Sequence, residues 1–81
     1  MATLILFTTS GCHLCEQAQR LIQKVWGRSA SEIEITDDAR LLDDYGTRIP
    51  VLRRTDTGIE IAWPFDATDI LELLKRDGAD Q

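Results

Sequence analysis

Positive charge is scarce in this chain. Its 81 residues carry 9 Lys and Arg against 14 Asp and Glu, a formal net charge of −5, and the basic residues form no cluster. Phosphate neutralisation supplies most nucleic-acid affinity, so this balance argues against a nucleic-acid binder and equally against docking on an anionic membrane. Long apolar runs are missing too. No stretch approaches the roughly 20 residues of a membrane span. Ala2-Thr3-Leu4-Ile5-Leu6-Phe7, directly after Met1, is too short for a signal-peptide core and has no positive residue before it. The expectation is a cytoplasmic protein. Repeats, linkers and low-complexity segments are absent, and a chain of this size buries about 60–65% of its unfolded surface, so residues 1–81 are expected to form one domain. Two cysteines build no disulfide framework. Zinc would need two ligands beyond them, and only His13 and carboxylates are on offer, so no metal is expected. Haem attachment needs a His directly after the second cysteine, where Glu16 stands.

What is present is clear patterning. Leu4 to Thr8 is a β-prone apolar run ending at Thr9-Ser10-Gly11, a buried strand feeding a loop. Leu14, Ala18, Leu21, Ile22 and Val25 recur at helical spacing opposite Glu16, Gln19, Arg20 and Lys24, and Gly27 stands where a C-terminal stop is favoured. Glu32-Ile33-Glu34-Ile35-Thr36 alternates with period two, a second strand. Asp37-Asp38 offers N-cap chemistry for a short helix bearing Leu41, Leu42 and Tyr45, ended by Gly46. Residues 49–54 and 59–63 flank the turn Asp56-Thr57-Gly58 as a hairpin. Asp66 is placed to cap a last helix, with Phe65 stapled onto Ile70 and a stripe of Ile70, Leu73 and Leu74 that Leu71 widens. Residues after Arg76 are expected to fray. The order β-α-β-α-β-β-α predicts an α/β fold. Its first strand–helix–strand unit pairs in parallel, and the hairpin completes a mixed four-stranded sheet flanked by helices.

The chemistry concentrates in Cys12-His13-Leu14-Cys15. Cysteines three apart on a first helical turn place their Cα atoms roughly 5–6 Å apart, as a disulfide requires. One sulfur faces solvent and the next turn covers the other, so the bridge is expected to form and break. That is the geometry of thiol–disulfide exchange. Unsatisfied amides at the helix N-terminus favour a thiolate at Cys12 and lower its pKa. His13 is an exposed tuner that adds positive charge when protonated. Arg53 and Arg54 are expected on opposite faces of a strand, and the scattered acids on helix faces read as a solvated surface.

The CxxC at the end of the first strand, the element order, and Ile49-Pro50 opening the third strand together resemble the thioredoxin fold. Phe7-Thr8-Thr9-Ser10-Gly11-Cys12-His13-Leu14-Cys15, Arg48-Ile49-Pro50-Val51-Leu52 and Trp63-Pro64-Phe65-Asp66 are similar to the small glutaredoxin-like family over nearly the whole chain. The resemblance implies that Cys12 is the nucleophile and Cys15 the resolving cysteine. It implies that Pro50 is cis and faces the cysteines, leaving the Ile49 backbone free to pair with a peptide-like substrate. Two positions depart from glutaredoxins. Thr8-Thr9-Ser10 stands where they carry a Lys, and Trp63-Pro64 replaces a Gly-Gly pair whose amides receive the γ-glutamyl carboxylate of glutathione. Asp66 still matches the polar cap position. Arg48 either attracts a substrate carboxylate or is a solvated surface arginine, and Trp63 either lines the groove or closes the sheet as a core-edge aromatic. The substrate-contacting set expected on this basis is His13, Arg48, Ile49, Pro50, Trp63 and Asp66.

The function so implied is a monomeric dithiol oxidoreductase that reduces protein disulfides or glutathione mixed disulfides. It needs no cofactor beyond the Cys12–Cys15 pair. A protein dithiol is expected as its reductant in preference to glutathione, which remains an alternative co-substrate. The alternative from another class is a redox-responsive binding module, or a sulfur or metal carrier, using the same cysteines.

Overall fold

The expected element order holds in the computed structural model, which describes residues 3–75. Strand β1 (Leu4–Thr8) leads through a loop into helix α1 (His13–Trp26), followed by β2 (Ser31–Glu34) and a 3₁₀ turn (Ile35–Asp37). Helix α2 (Ala39–Tyr45), the hairpin of β3 (Val51–Arg54) and β4 (Glu60–Ala62), and helix α3 (Ala67–Lys75) complete it. The sheet runs β2-β1-β3-β4, with β1 parallel to β2 and both other pairs antiparallel. The stretch after Arg76, expected to fray, lies outside the described residues.

Period-two alternation sorts the strand side chains into two layers. Leu4, Leu6 and Leu52 join Ala18 and Ile22 of α1 and Phe65, Ile70 and Leu73 of the α3 region in one cluster. Phe7 and Val51 join Ile35 and Tyr45 in the other, with Ile5, Ile33, Leu41 and Ile49 packed around them. A fully buried Leu or Ile contributes about 1.5–3 kcal/mol relative to exposure. The first cluster holds six such residues of the described chain, namely Leu4, Leu6, Ile22, Leu52, Ile70 and Leu73, so the α1–α3 side dominates the folding energy.

Local chemistry fixes the ends. Gly27 closes α1 in the left-handed conformation at φ 85°, its N–H donating to the Gln23 carbonyl. At α3, Phe65 and Ile70 lie in one cluster on either side of the Asp66 cap, the staple read from the sequence.

Several boundaries differ from expectation. β2 ends at Glu34, because the Glu34 carboxylate accepts from the Thr36 N–H and turns the chain into 3₁₀ geometry, delivering Ile35 to the core. β3 begins at Val51 and not at Ile49. Pro50 has no N–H to give, and the N–H groups of Arg48 and Ile49 both donate to the Tyr45 carbonyl, at 2.9 and 3.2 Å. β4 is likewise shorter than residues 59–63. Leu14, Leu42 and Leu71, assigned to apolar stripes, are exposed on the flanks of their helices. Arg53 does pair with Glu60 across the hairpin. Arg54, however, is only 5% exposed. Its Nε and Nη2 grip the two Asp56 carboxylate oxygens at 2.7 and 3.0 Å, and Nη1 donates to the carbonyls of Leu73 and Leu74 at 2.9 and 2.7 Å. It ties the last turn of α3 to the β-hairpin.

Candidate functional site

Register brings the sequence-predicted residues to one end of the sheet. Phe7 pairs with Val51, Val51 with Ala62, and Thr8 with Glu34. The loop leading to Cys12, the Arg48-Ile49-Pro50 segment and Trp63-Pro64 therefore all leave the sheet at the same edge. Gly11 enters α1 at φ 74°, a left-handed conformation that suits glycine.

Cys12 is the N-cap of α1, extended in backbone, and its Sγ accepts from the Cys15 N–H at 3.1 Å. It fills the place that Ser, Thr or Asp usually take at a helix start. The two cysteines are joined as a disulfide with Cα atoms 5.2 Å apart, inside the range the spacing predicts. Cys12 is partly exposed while Cys15 is buried at 4%. One sulfur is thus open to a partner, and the other is shielded beneath the next turn. His13, the first residue of α1, is exposed.

The Ile49–Pro50 peptide bond is cis, as the resemblance implies, and the Trp63–Pro64 bond is cis as well, which no motif anticipated. Pro50 is fully buried, and its carbonyl accepts from the Trp63 N–H at 3.0 Å, joining the two segments. The expectation of a free Ile49 backbone fails at its N–H, which the Tyr45 carbonyl already holds. Tyr45 organises this corner. Its ring stacks on Phe7 at 4.2 Å, its hydroxyl donates to Glu60, and the Arg48 guanidinium lies over its other side, 5.1 Å from the ring centre. The bond to Glu60, with burial second, pushes the Tyr45 hydroxyl above its ordinary pKa. Arg48 is exposed, with Nε donating to the Asp44 carbonyl at 3.2 Å. Trp63 is half-buried, edge-on to Phe65 at 5.1 Å, and packs against the α1–α3 core, which favours the core-edge aromatic.

Asp66 caps α3 reciprocally. Its Oδ1 accepts from the Asp69 N–H at 2.9 Å, and its own N–H donates to Asp69 Oδ2 at 3.0 Å. The start of α3 is thus occupied by two carboxylates of the chain itself.

Sequence reasoning placed Glu34 in the second strand and gave it no role at the site. Its Oε1 accepts from the Ser10 N–H and hydroxyl, and its Oε2 from the Thr36 N–H and hydroxyl. The Thr36 hydroxyl above all, then Thr9, holds its pKa at about 2. The local signal was Thr36, two residues after a strand-ending carboxylate; the Ser10 contact left none. Among the described residues, no group of three or more His, Cys, Asp or Glu is placed to hold a metal ion. Nor is any helix among them long and apolar enough to cross a membrane.

Comparison with known proteins agrees with this geometry. Residues 3–75 match the family model described as Glutaredoxin-like domain (DUF836). The chain is similar to the crystal structure of Northeast Structural Genomics target protein XcR50 from X. campestris, at 39% identity and a TM-score of 0.80, covering 89% of this chain and 95% of that one. The solution structure of XcR50 gives 40% identity and a TM-score of 0.77, covering 91% and 92%. Protein Ne2328 from Nitrosomonas europaea gives 29% identity and a TM-score of 0.71 over 88% of each chain. Among curated proteins there is no match.

Proposed function

Since the chain belongs to the family of glutaredoxin-like domains, we propose that it is a dithiol–disulfide oxidoreductase in which Cys12 attacks and Cys15 resolves. The observation that carries this reading is the asymmetric pair at the start of α1. Cys12 is partly exposed with its sulfur on a helix N-terminal amide, and Cys15 is buried one turn inward. An N–H aimed at Sγ, in the field of the helix N-terminus, stabilises a thiolate more than a thiol, so the Cys12 pKa lies below that of an ordinary cysteine.

The cycle balances as follows. In the reduced protein the Cys12 thiolate attacks one sulfur of a substrate disulfide, and the other substrate sulfur leaves as a thiolate. The Cys15 thiol loses its proton and attacks Cys12 Sγ, expelling the second substrate thiolate. The substrate gains two electrons and two protons, and the protein is left with the Cys12–Cys15 disulfide. A dithiol reductant then reverses the exchange, which fits a compartment that keeps thiols reduced, the cytoplasm.

The reductant we favour is a protein dithiol and not glutathione. Glutathione carries two carboxylates and needs fixed donors. Here Pro64 has no N–H, and the reciprocal Asp66–Asp69 cap already takes the N–H groups of Asp66 and Asp69 while adding negative charge at the start of α3. At this corner Arg53 is already paired with Glu60, and Arg48, as an exposed group, offers only about 0–1 kcal/mol per ion pair. The test is steady-state reduction of a glutathionylated peptide and of a protein disulfide, with glutathione or a thioredoxin-type dithiol as sole donor. Turnover driven by the dithiol is expected. No turnover with either donor would sink the oxidoreductase reading, and efficient, saturable turnover with glutathione would overturn the donor preference alone.

A further inference from the structure

The loop that delivers Cys12 is pinned from across the sheet. Thr8 and Glu34 are the last partners of the parallel β1–β2 ladder, and beyond them the chain runs Thr9-Ser10-Gly11 into Cys12. Glu34 Oε1 accepts from the Ser10 N–H at 3.0 Å and from the Ser10 hydroxyl at 3.2 Å. Its Oε2 accepts from the Thr36 N–H at 3.2 Å and the Thr36 hydroxyl at 2.8 Å. Each oxygen thus serves a different segment, one the loop before α1 and the other the turn after β2. Held at a pKa of about 2, the carboxylate stays a full acceptor at neutral pH. Among the described residues, it is the one side chain of another element hydrogen-bonded to this loop. Between Ser10 and Cys12 stands only Gly11, a residue with the conformational freedom of a hinge.

We propose that Glu34 is a positioning residue of the dithiol site: by fixing Ser10, it holds Cys12 as the helix cap with Sγ over the Cys15 N–H. This rests on the reading of Cys12 as the attacking thiol. The charge of Glu34 alone would act in the opposite sense, because a nearby anion disfavours a thiolate. The sign of the effect therefore separates position from field.

The experiment is the pH profile of Cys12 alkylation by iodoacetamide in the reduced full-length chain. In Glu34→Ala the profile moves to higher pH, and the rate at neutral pH falls about tenfold, within the roughly 10²-fold that a misplacement of about 1 Å can cost. Glu34→Gln keeps one acceptor oxygen and loses less. Thr36→Val, which cuts only the turn side, lowers the melting temperature and keeps the wild-type profile. Unchanged profiles in both Glu34 variants would overturn the proposal, and so would faster alkylation in both. If Glu34→Ala does not fold, Glu34→Gln and Ser10→Ala decide by the same readout. Alkylation needs no substrate, so a wild-type chain inert toward every disulfide would defeat the oxidoreductase reading without deciding the role of Glu34.

Discussion

Replacing Arg54 by methionine should loosen the whole C-terminal half of the fold. Methionine keeps much of the buried aliphatic volume and removes the guanidinium. The losses include the pair of bonds from Nη1 to the Leu73 and Leu74 carbonyls and the two-point grip on Asp56. A hydrogen bond with one charged partner contributes about 1.5–3 kcal/mol. Taking the lower figure for each carbonyl bond gives a total of about 3 kcal/mol. The Asp56 grip adds little to that sum, because its carboxylate is substantially exposed. For a domain of this size 1 kcal/mol moves Tm by about 4–8 °C, so a fall of about 12–24 °C is expected in thermal unfolding followed by circular dichroism. Arg54→Lys keeps the charge but not the fork, and falls between the two. Asp56→Asn should shift Tm only slightly. A drop below about 4 °C in Arg54→Met, the equivalent of less than 1 kcal/mol, would refute the reasoning and leave Ile70 and Leu73 as what holds α3.

Two further outcomes follow from the carboxylates. Glu34 has a folded pKa of about 2 against an ordinary 4.5, so its contribution is complete above pH 4.5 and is lost as pH falls toward 2. The stability advantage of wild type over Glu34→Gln, measured by urea unfolding, should shrink across that window, and a pH-independent difference would contradict the assignment. Asp66→Ala removes the cap of α3 and should destabilise by about 1 kcal/mol, seen as a fall in Tm of about 4–8 °C; an unchanged Tm would mean that Asp69 and water satisfy the helix start alone.

The features legible in the sequence were those whose partners lie within one turn or one element. The Cys12–Cys15 spacing, the Gly27 stop and the Phe65-Asp66-Ile70 staple are relations over at most five residues, set by helix geometry. Arg54 and Glu34 were illegible for the converse reason. Arg54 meets carbonyls 19 and 20 residues later, and Glu34 meets Ser10 24 residues earlier. A strand pattern reports which face a side chain takes, not what stands on that face. The alternation from Glu32 to Thr36 also continued on paper past the point where the Glu34 carboxylate replaces the ladder with a turn. Ile49 shows a subtler limit. Its position before a cis proline followed from the resemblance, but the capture of its N–H by Tyr45 depends on how α2 ends.

Trapping the exchange intermediate tests the central claim most directly. A Cys15→Ser variant, reduced and mixed with a protein disulfide substrate, should accumulate a covalent complex that mass spectrometry locates at Cys12, because the buried resolving thiol is gone. Cys12→Ser should trap none, its remaining thiol being covered by the helix. A complex through Cys15, or none through Cys12, would contradict the account.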